Sequence, residues 1–408
     1  MVKIAVIGGG ASGMMAAIAA ASQNAKVTII EHQNRVGKKI LATGNGHCNF
    51  TNVKQEPQFY HSENPTFPFS VYEQFTARDT IIFFKQLGIF SKNRNGYLYP
   101  HSDQAAAVLE VLRMELKRLE VEIMTETHCQ EIISGKRGFL IDSSRGKLSF
   151  DRVIIAAGGK AAPATGSDGS GYELAKKLGH RIIPVLPALV QLRCKEAFYK
   201  SIAGLRMNGK VTIFTDGQMM AFDTGEIQLT GYGISGIPVF QVSHEAAKGL
   251  HQKKRVTAIL DFMPEFTDQQ LAEFLRDRID YRPQKTLEEF FVGLFPKKFF
   301  ELLIRLSGLP RNKPAEKLSD QEIGALVTLI KEFKTAIEAT NSFEQAQVCS
   351  GGVDTKEINE STMESRYVKG VYFAGEILDV DGECGGYNLQ WAWSSGYIAG
   401  KEAANAEN

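Results

Sequence analysis

The sequence predicts an α/β protein whose split, Rossmann-like domain is interrupted by an inserted β-rich domain and a small helical domain. Three stretches predict it: a strand–turn–helix–strand unit at the N-terminus, an apolar strand ending in small residues in mid-chain, and a strand, glycine loop and helix near the C-terminus. The first stretch carries the most information. Lys3-Ile4-Ala5-Val6-Ile7 has the β-branched, apolar character of a buried strand. Gly8-Gly9-Gly10-Ala11-Ser12-Gly13 follows and spells G-x-G-x-x-G. An alanine-rich helix pattern, Met14 to Ser22, comes next, then a second strand, Lys26 to Ile30, ending on Glu31. Gly8 turns the chain out of the strand, Gly10 lets backbone approach a pyrophosphate, and Gly13 lets helix and strand close on each other. The free N–H groups of the helix start, over Gly10, Ala11, Ser12 and Gly13, suit phosphates. Glu31 stands where a carboxylate accepts hydrogen bonds from a ribose diol.

Composition narrows the function. At 408 residues the chain has room for more than one core, and 43% hydrophobic with 23% charged residues is ordinary for a globular protein. A formal net charge of +1 with no basic block argues against a nucleic-acid partner and leaves a small molecule as the expected one. No apolar run reaches the ~18–20 residues that span a bilayer. The N-terminus runs straight into the glycine motif, which leads to the expectation of a cytoplasmic protein without a leader. Cys48, Cys129, Cys194, Cys349 and Cys384 are scattered, with no C-x-x-C pair, which speaks against a redox disulfide. Metal-ligand spacing is missing too, so no metal is expected. Oligomeric state is left open.

After Glu31 comes Arg35 to Asn52, with Lys38, Lys39, Thr43, Gly44, Asn45, Cys48 and Asn49 in a glycine-rich run that suits neither helix nor strand. Such a loop surrounds an anionic, planar ligand with N–H groups, lysines and amides. Helices are expected over Phe75–Leu87 and Ser102–Leu119, followed by a four-stranded meander: Glu122–Met124, Cys129–Ile133, Phe139–Ser143 and Lys147–Phe150. Arg152 to Ile155 then runs into Ala156-Ala157-Gly158-Gly159, small residues that admit a ligand to the strand end. Gly166 to Gly171 leads into a helix, Tyr172–Leu178, and is not read as a second nucleotide site. Pro184 and Pro187 mark a boundary. The β-rich domain is expected over residues 191–263, with a hairpin at Asp216-Gly217, a short helix Pro238–Ala247 and a strand Arg255–Phe262. The helical domain is expected over 264–339, opened by capping boxes at Thr267/Gln270, Thr286/Glu289 and Ser319/Glu322. Its phenylalanines read as core. Residues 1–190 and 340–408 are then the two parts of the first domain. In the second part Gly370 to Glu376 is a strand ending in small residues and an acid, including Gly375. A glycine loop, Asp379 to Asn388, leads into a helix from Leu389 to Ala404, whose N-terminus can aim its dipole at a flavin ring.

Gly37-Lys38-Lys39, Thr43-Gly44-Asn45-Gly46-His47-Cys48-Asn49-x-Thr51-Asn52, Gly225-Glu226-Ile227-x-x-Thr230-x-x-Gly233-x-Ser235-Gly236 and Gly375-Glu376-x-x-Asp379-x-x-Gly382-x-x-Gly385-Gly386-Tyr387-Asn388-Leu389-Gln390 make the pattern specific. The chain resembles, end to end, the BaiN/YhiN-like flavoproteins, a family that also includes aminoacetone oxidase. The resemblance implies non-covalent FAD in a two-dinucleotide-binding-domain flavoprotein arrangement. It puts the pyrophosphate near Gly10 to Gly13 and ribose on Glu31. It puts the flavin near Thr43 to Asn49, Glu376, Asn388 and Leu389, and adenine against the backbone near Cys129. This chain departs from many relatives at His47, where they carry Arg or Lys, at Gly231, where they carry His, and at Tyr97, where an Arg is common.

Neither a second nicotinamide-binding glycine motif nor a cysteine pair is found, so NAD(P)H, as an expected co-substrate, docks only transiently. The leading expectation is an FAD-dependent ene-reductase that saturates C=C bonds conjugated to a ketone, on a 3-oxo bile-acid or steroid-like substrate. This follows from the resemblance, which is nearer in style to the bile-acid reductase branch. The alternative is oxidation of a small aminoketone, such as aminoacetone, with release of hydrogen peroxide. Tyr387, set between Gly-Gly and the final helix, is the candidate catalytic group, since a phenol donates to a carbonyl. The same position also suits a ring that walls the flavin.

Overall fold

A computed structural model describes residues 1–135 and 138–405. The last three residues of the expected 340–408 segment therefore lie outside the described residues. The chain forms two compact units, residues 1–187 with 343–408, and residues 188–342.

The first unit is built on a five-stranded sheet whose strands are β1 (Lys3–Ile7), β2 (Lys26–Ile30), β3 (Glu122–Met124), β4 (Arg152–Ile155) and β5 (Val371–Phe373), in the spatial order β5-β4-β1-β2-β3. All neighbours are parallel, with Ala5 opposite both Val153 and Thr28. β1 and β4 carry apolar residues on both faces: the helices Ala11–Ala21 and Tyr387–Asn405 pack against them, and so do the strands Gly138–Ser143 and Gly146–Phe150. The expected meander loses its first strand. Glu122–Met124 follows the helix Ala105–Arg118 and joins the sheet edge beside β2, leaving Cys129–Gly135, Gly138–Ser143 and Gly146–Phe150 as a three-stranded sheet. Three residues are too few for periodicity to distinguish a hairpin from a crossover.

Helix α1 (Ala11–Ala21) packs along α2 (Tyr387–Asn405) through small residues. A methyl on Gly396 would lie 2.5 Å from the Ser12 carbonyl oxygen, and one on Gly400 would run into that of Ala16. The stretch expected to be neither helix nor strand contains a five-residue helix, Lys38–Ala42, opened by Gly37 at φ +75°, and a strand pairing Thr51 and Asn52 with Leu98 and Tyr97. A single turn of helix has too few apolar positions to declare itself.

In the second unit six strands close a barrel: Leu192–Cys194, Gly233–Ser235, Gln218–Thr230, Arg206–Thr215, Val256–Asp261 and Phe333–Thr340, the last pairing back to the first. The strand Phe333–Thr340, expected at the end of the helical segment, completes the barrel instead. Between Val256–Asp261 and this strand lie the helices Asp268–Tyr281, Leu287–Phe290, Lys297–Ser307 and Asp320–Lys331. All three capping boxes form, with both reciprocal bonds present. Phe299 contacts Phe262 at 4.5 Å and Phe333 at 5.9 Å between ring centroids, so barrel and helices share one core.

Candidate functional site

The N-terminal glycines divide by what surrounds them. A methyl on Gly8, at φ +101°, would lie 2.5 Å from the Ala156 carbonyl oxygen, and one on Gly13 would collide with that of Gly8. Gly10 differs: nothing stands within 4 Å of the same position. It is also the N-cap of α1 and offers no side-chain cap to the helix. The turn is therefore jammed on its inner side and open where the first N–H groups of an eleven-residue helix emerge, a place suited to a diphosphate. Ala11 and Ser12 form the first turn, and the Ser12 hydroxyl donates to the Ala374 carbonyl at 3.3 Å.

Glu31 is buried and occupied in part. Its two oxygens accept from the backbone N–H of Gly9 and of Gln33, both at 2.7 Å. The remaining lone pairs are those a ribose diol would use. Lys38 turns away to the Gln33 amide oxygen at 2.6 Å. Lys39 pairs with Glu376 at 2.7 Å, and the other Glu376 oxygen accepts from the Cys349 N–H at 2.9 Å. These bonds join the N-terminal loop to the C-terminal strand end.

From Thr43 onwards the backbone is contorted. Gly44, Asn45, Gly46 and Cys48 all have positive φ, at +54°, +53°, +87° and +54°. Non-glycine residues hold that conformation at a cost, which is found most often at ligand sites. The Thr43 hydroxyl donates to the Ile40 carbonyl at 2.6 Å. Cys48 is fully buried, and burial pushes its thiol up to about 11, so it is a packing residue at neutral pH. The Oδ1 of Asn49 is buried without a hydrogen-bond partner. An orphaned acceptor of this kind is costly unless a ligand meets it. Together with the open front of Gly10, it makes these residues a fit for FAD.

Behind β4, Ala157 packs against Gly8 and Gly171, and Gly158 sits at φ +74° against the Ser167 hydroxyl. Cys129 begins its strand half-buried, its thiol pushed up to about 12 by burial. On the C-terminal side Gly375 has φ +80° and closes on Ser12. The Asn388 amide is spent on its own loop. It donates to the Gly382 carbonyl at 2.6 Å and accepts from its N–H at 2.8 Å, so only its backbone is left for a cofactor. Leu389 is partly buried against the core. The indole N–H of Trp391 donates to the Gly375 carbonyl at 3.0 Å, and that of Trp393 to the Phe50 carbonyl at 2.9 Å. α2 thus ties down both loops.

Tyr387 is 5% exposed, its ring 4.9 Å from Phe59 and edge-on to Tyr60 at 5.9 Å. That packing suits a wall. Burial also pushes its phenol well above its usual range, so it keeps its proton and stays a donor. Sequence reasoning missed Tyr172, whose buried hydroxyl has no partner and lies 3.1 Å from where a methyl on Gly159 would stand, as does the Glu376 carboxyl carbon. It also left Asp379 unassigned, although that residue stands inside the quoted C-terminal motif. Burial depth, which no spacing reveals, is what singles out both.

A family model described as the HI0933-like protein Rossmann domain matches residues 2–402. The 3-dehydro-bile acid delta(4,6)-reductase of Clostridium scindens is 48% identical over 406 residues, 99% of each chain. The ribosomal RNA dihydrouridine synthase of Haemophilus influenzae is 30% identical over 399 residues, 96% of each chain. Among solved structures, 3-ketosteroid delta1-dehydrogenase from Sterolibacterium denitrificans superposes with a TM-score of 0.50 at 12% identity, covering 99% of this chain and 100% of that one. A likeness at that identity bears on fold alone.

Proposed function

The chain belongs to the HI0933-like family, and from that membership we propose that it is an FAD-dependent oxidoreductase that saturates a C=C bond conjugated to a ketone in a bile-acid or steroid-like substrate. The observation that carries this reading is 48% identity to a bile-acid reductase along 99% of both chains. When bound, FAD supplies the hydride chemistry. The chain's own residues hold and orient. The N–H groups from Ala11 to Gly13 meet the diphosphate, Glu31 the ribose, and the Thr43–Asn49 loop with Glu376 and Leu389 the ring. Lys39 fixes Glu376 in place through their 2.7 Å ion pair. Tyr387, protonated throughout the neutral range, donates a hydrogen bond to the substrate ketone, which draws charge out of the conjugated bond. NAD(P)H is the expected electron source and docks without a domain of its own.

A second reading has support of its own. The relative from Haemophilus influenzae acts on ribosomal RNA, and the double bond removed when uridine becomes dihydrouridine is likewise conjugated to a carbonyl. In the second unit, Lys248, Lys253, Lys254 and Arg255 are exposed side by side near a helix end, and none forms an ion pair among the described residues. Such a cluster suits a phosphate backbone.

One anaerobic experiment separates these readings. The protein should be yellow, bleach with NADH or NADPH, and regain colour with a 3-oxo-Δ4,6 bile acid. Recovery with a ribosomal RNA fragment and not with the bile acid would favour the second reading. Peroxide from aminoacetone in air, without bleaching by either nucleotide, would overturn both. Gly10→Ala tests the cofactor cradle: with open space in front of it the variant should fold as well as the parent and bind FAD at least tenfold more weakly.

A further inference from the structure

Asp379 is 4% exposed, and its carboxylate has no cation beside it. Among the described residues it forms no ion pair. Its Oδ2 accepts from the Glu63 N–H at 2.8 Å and lies 3.4 Å from the Ser62 hydroxyl, which itself stands 3.4 Å from that of Thr355. Its acidic neighbours are Asp381 and Glu63, and His61, the strand partner of Asp381, is the histidine of the segment. Asp381, 2% exposed, is two residues on, and Glu63 is the residue whose backbone it holds. The phenol of Tyr172, on the helix Ser170–Lys177, is near enough to feel its charge. On the Thr355 segment, Asp354 is turned to Arg181 at 3.5 Å instead.

This contact begins a short mechanical chain. Asp381 and Gly382 pair with His61 and Tyr60, and the Glu383 N–H donates to the Phe59 carbonyl at 3.0 Å. Phe59 and Tyr60 are the rings packed on Tyr387, and a methyl on Gly382 would lie 2.7 Å from the Tyr387 Cβ. Whatever fixes residues 59–63 to the loop 379–383 therefore also fixes Tyr387.

We propose that Asp379 is a positioning residue that sets how firmly Tyr387 is held, closing the 59–63 segment onto the 379–383 loop when it carries a proton and loosening it when it ionises. A neutral carboxyl still accepts the Glu63 N–H. A buried carboxylate facing Asp381 and Glu63 adds desolvation and like-charge repulsion. Burial and those two neighbours push Asp379 from the ordinary 3.8 up to about 6, whereas in an opened segment it returns toward the ordinary value. A group more acidic in the open form drives opening as pH rises. On those two values the open population grows about tenfold between pH 5 and 7.5.

The importance of Tyr387 rests on the proposed function, but the test does not. Hydrogen exchange of peptides covering residues 57–66 and 379–389, corrected for intrinsic rates, is followed in the full-length protein from pH 5 to 7.5. Opening should rise about tenfold in the parent. In Asp379→Asn it should stay flat at the low-pH level, and FAD titration at pH 7.5 should then give the same affinity as the parent at pH 5. Ser62→Ala, which keeps the carboxyl, should open more at every pH and keep the rise, with its midpoint moved up because the hydroxyl that favours the ionised form is gone. A flat parent profile, or an Asp379→Asn profile that follows the parent, would overturn the proposal. If Asp379→Asn does not fold, the parent and Ser62→Ala profiles decide the matter alone.

Discussion

In the first unit helices α1 and α2 meet through Ser12, Ala16, Gly396 and Gly400, backbone nearly on backbone, whereas the second unit fills the space between barrel and helices with Phe262, Phe291, Phe299, Phe300 and Phe333. The difference follows from what each has to hold. A dinucleotide cradle needs main-chain N–H groups placed within a few tenths of an ångström, and close backbone packing fixes main chain directly. A supporting barrel needs buried area, which aromatic rings supply in bulk. The contact between α1 and α2 should therefore tolerate no added volume, and the phenylalanine core of the second unit no lost volume.

The largest test of that contrast is Gly400→Val. Its side chain would enter the Ala16 carbonyl, and neither helix backbone can yield, so a loss above about 4 kcal/mol and little soluble protein are expected. Phe299→Ala comes next. Phe299 is fully buried, and its removal should cost about 3–5 kcal/mol in chemical denaturation. A milder result at either site would blur the distinction.

Acid sharpens it further, through a buried histidine of the first unit. Ser365 Oγ accepts from the N–H of Tyr367 and of Val368, so its own hydrogen goes to His180 Nε2 at 2.8 Å, leaving Nδ1–H for Glu357 at 3.0 Å. Burial outweighs Glu357 and holds His180 below its ordinary 6.5. The unfolded chain then takes the proton first. This stabilisation is complete above about pH 6.5 and is lost as pH falls through that value, opposite in sense to Asp379. Exchange of peptides spanning 354–368 should quicken between pH 6.5 and 5 in the parent and not in His180→Gln. The smallest effect has the reverse sign: Gly324, exposed in the helix Asp320–Lys331 with nothing within 4 Å, should gain about 0.5–1 kcal/mol on replacement by Ala.

The same contrast explains what the sequence disclosed. Gly8, Gly13 and the β1–α1–β2 unit were legible because jammed glycines leave a fixed spacing. The capping boxes at Thr267, Thr286 and Ser319 were legible because each is a local bond between residues three apart. Glu122–Met124 and Phe333–Thr340 were misplaced because strand partners are chosen across the fold, Thr28 in one case and Leu192 in the other. Within the site, Glu31 and Glu376 were visible from strand ends. Asn388 was placed near the flavin, but its amide closes on Gly382, a choice between loop and ligand that spacing cannot make. Tyr172 and Asp379 acquire their character from depth alone.

The chain has two tryptophans, and both belong to α2, their indoles anchored to the carbonyls of Gly375 and Phe50. Ultraviolet light too red for tyrosine is consequently absorbed and re-emitted by that one helix. A yellow chromophore resting on the loops it anchors would drain this emission by energy transfer. The molecule carries its own optical gauge of occupancy, one that needs neither a label nor turnover.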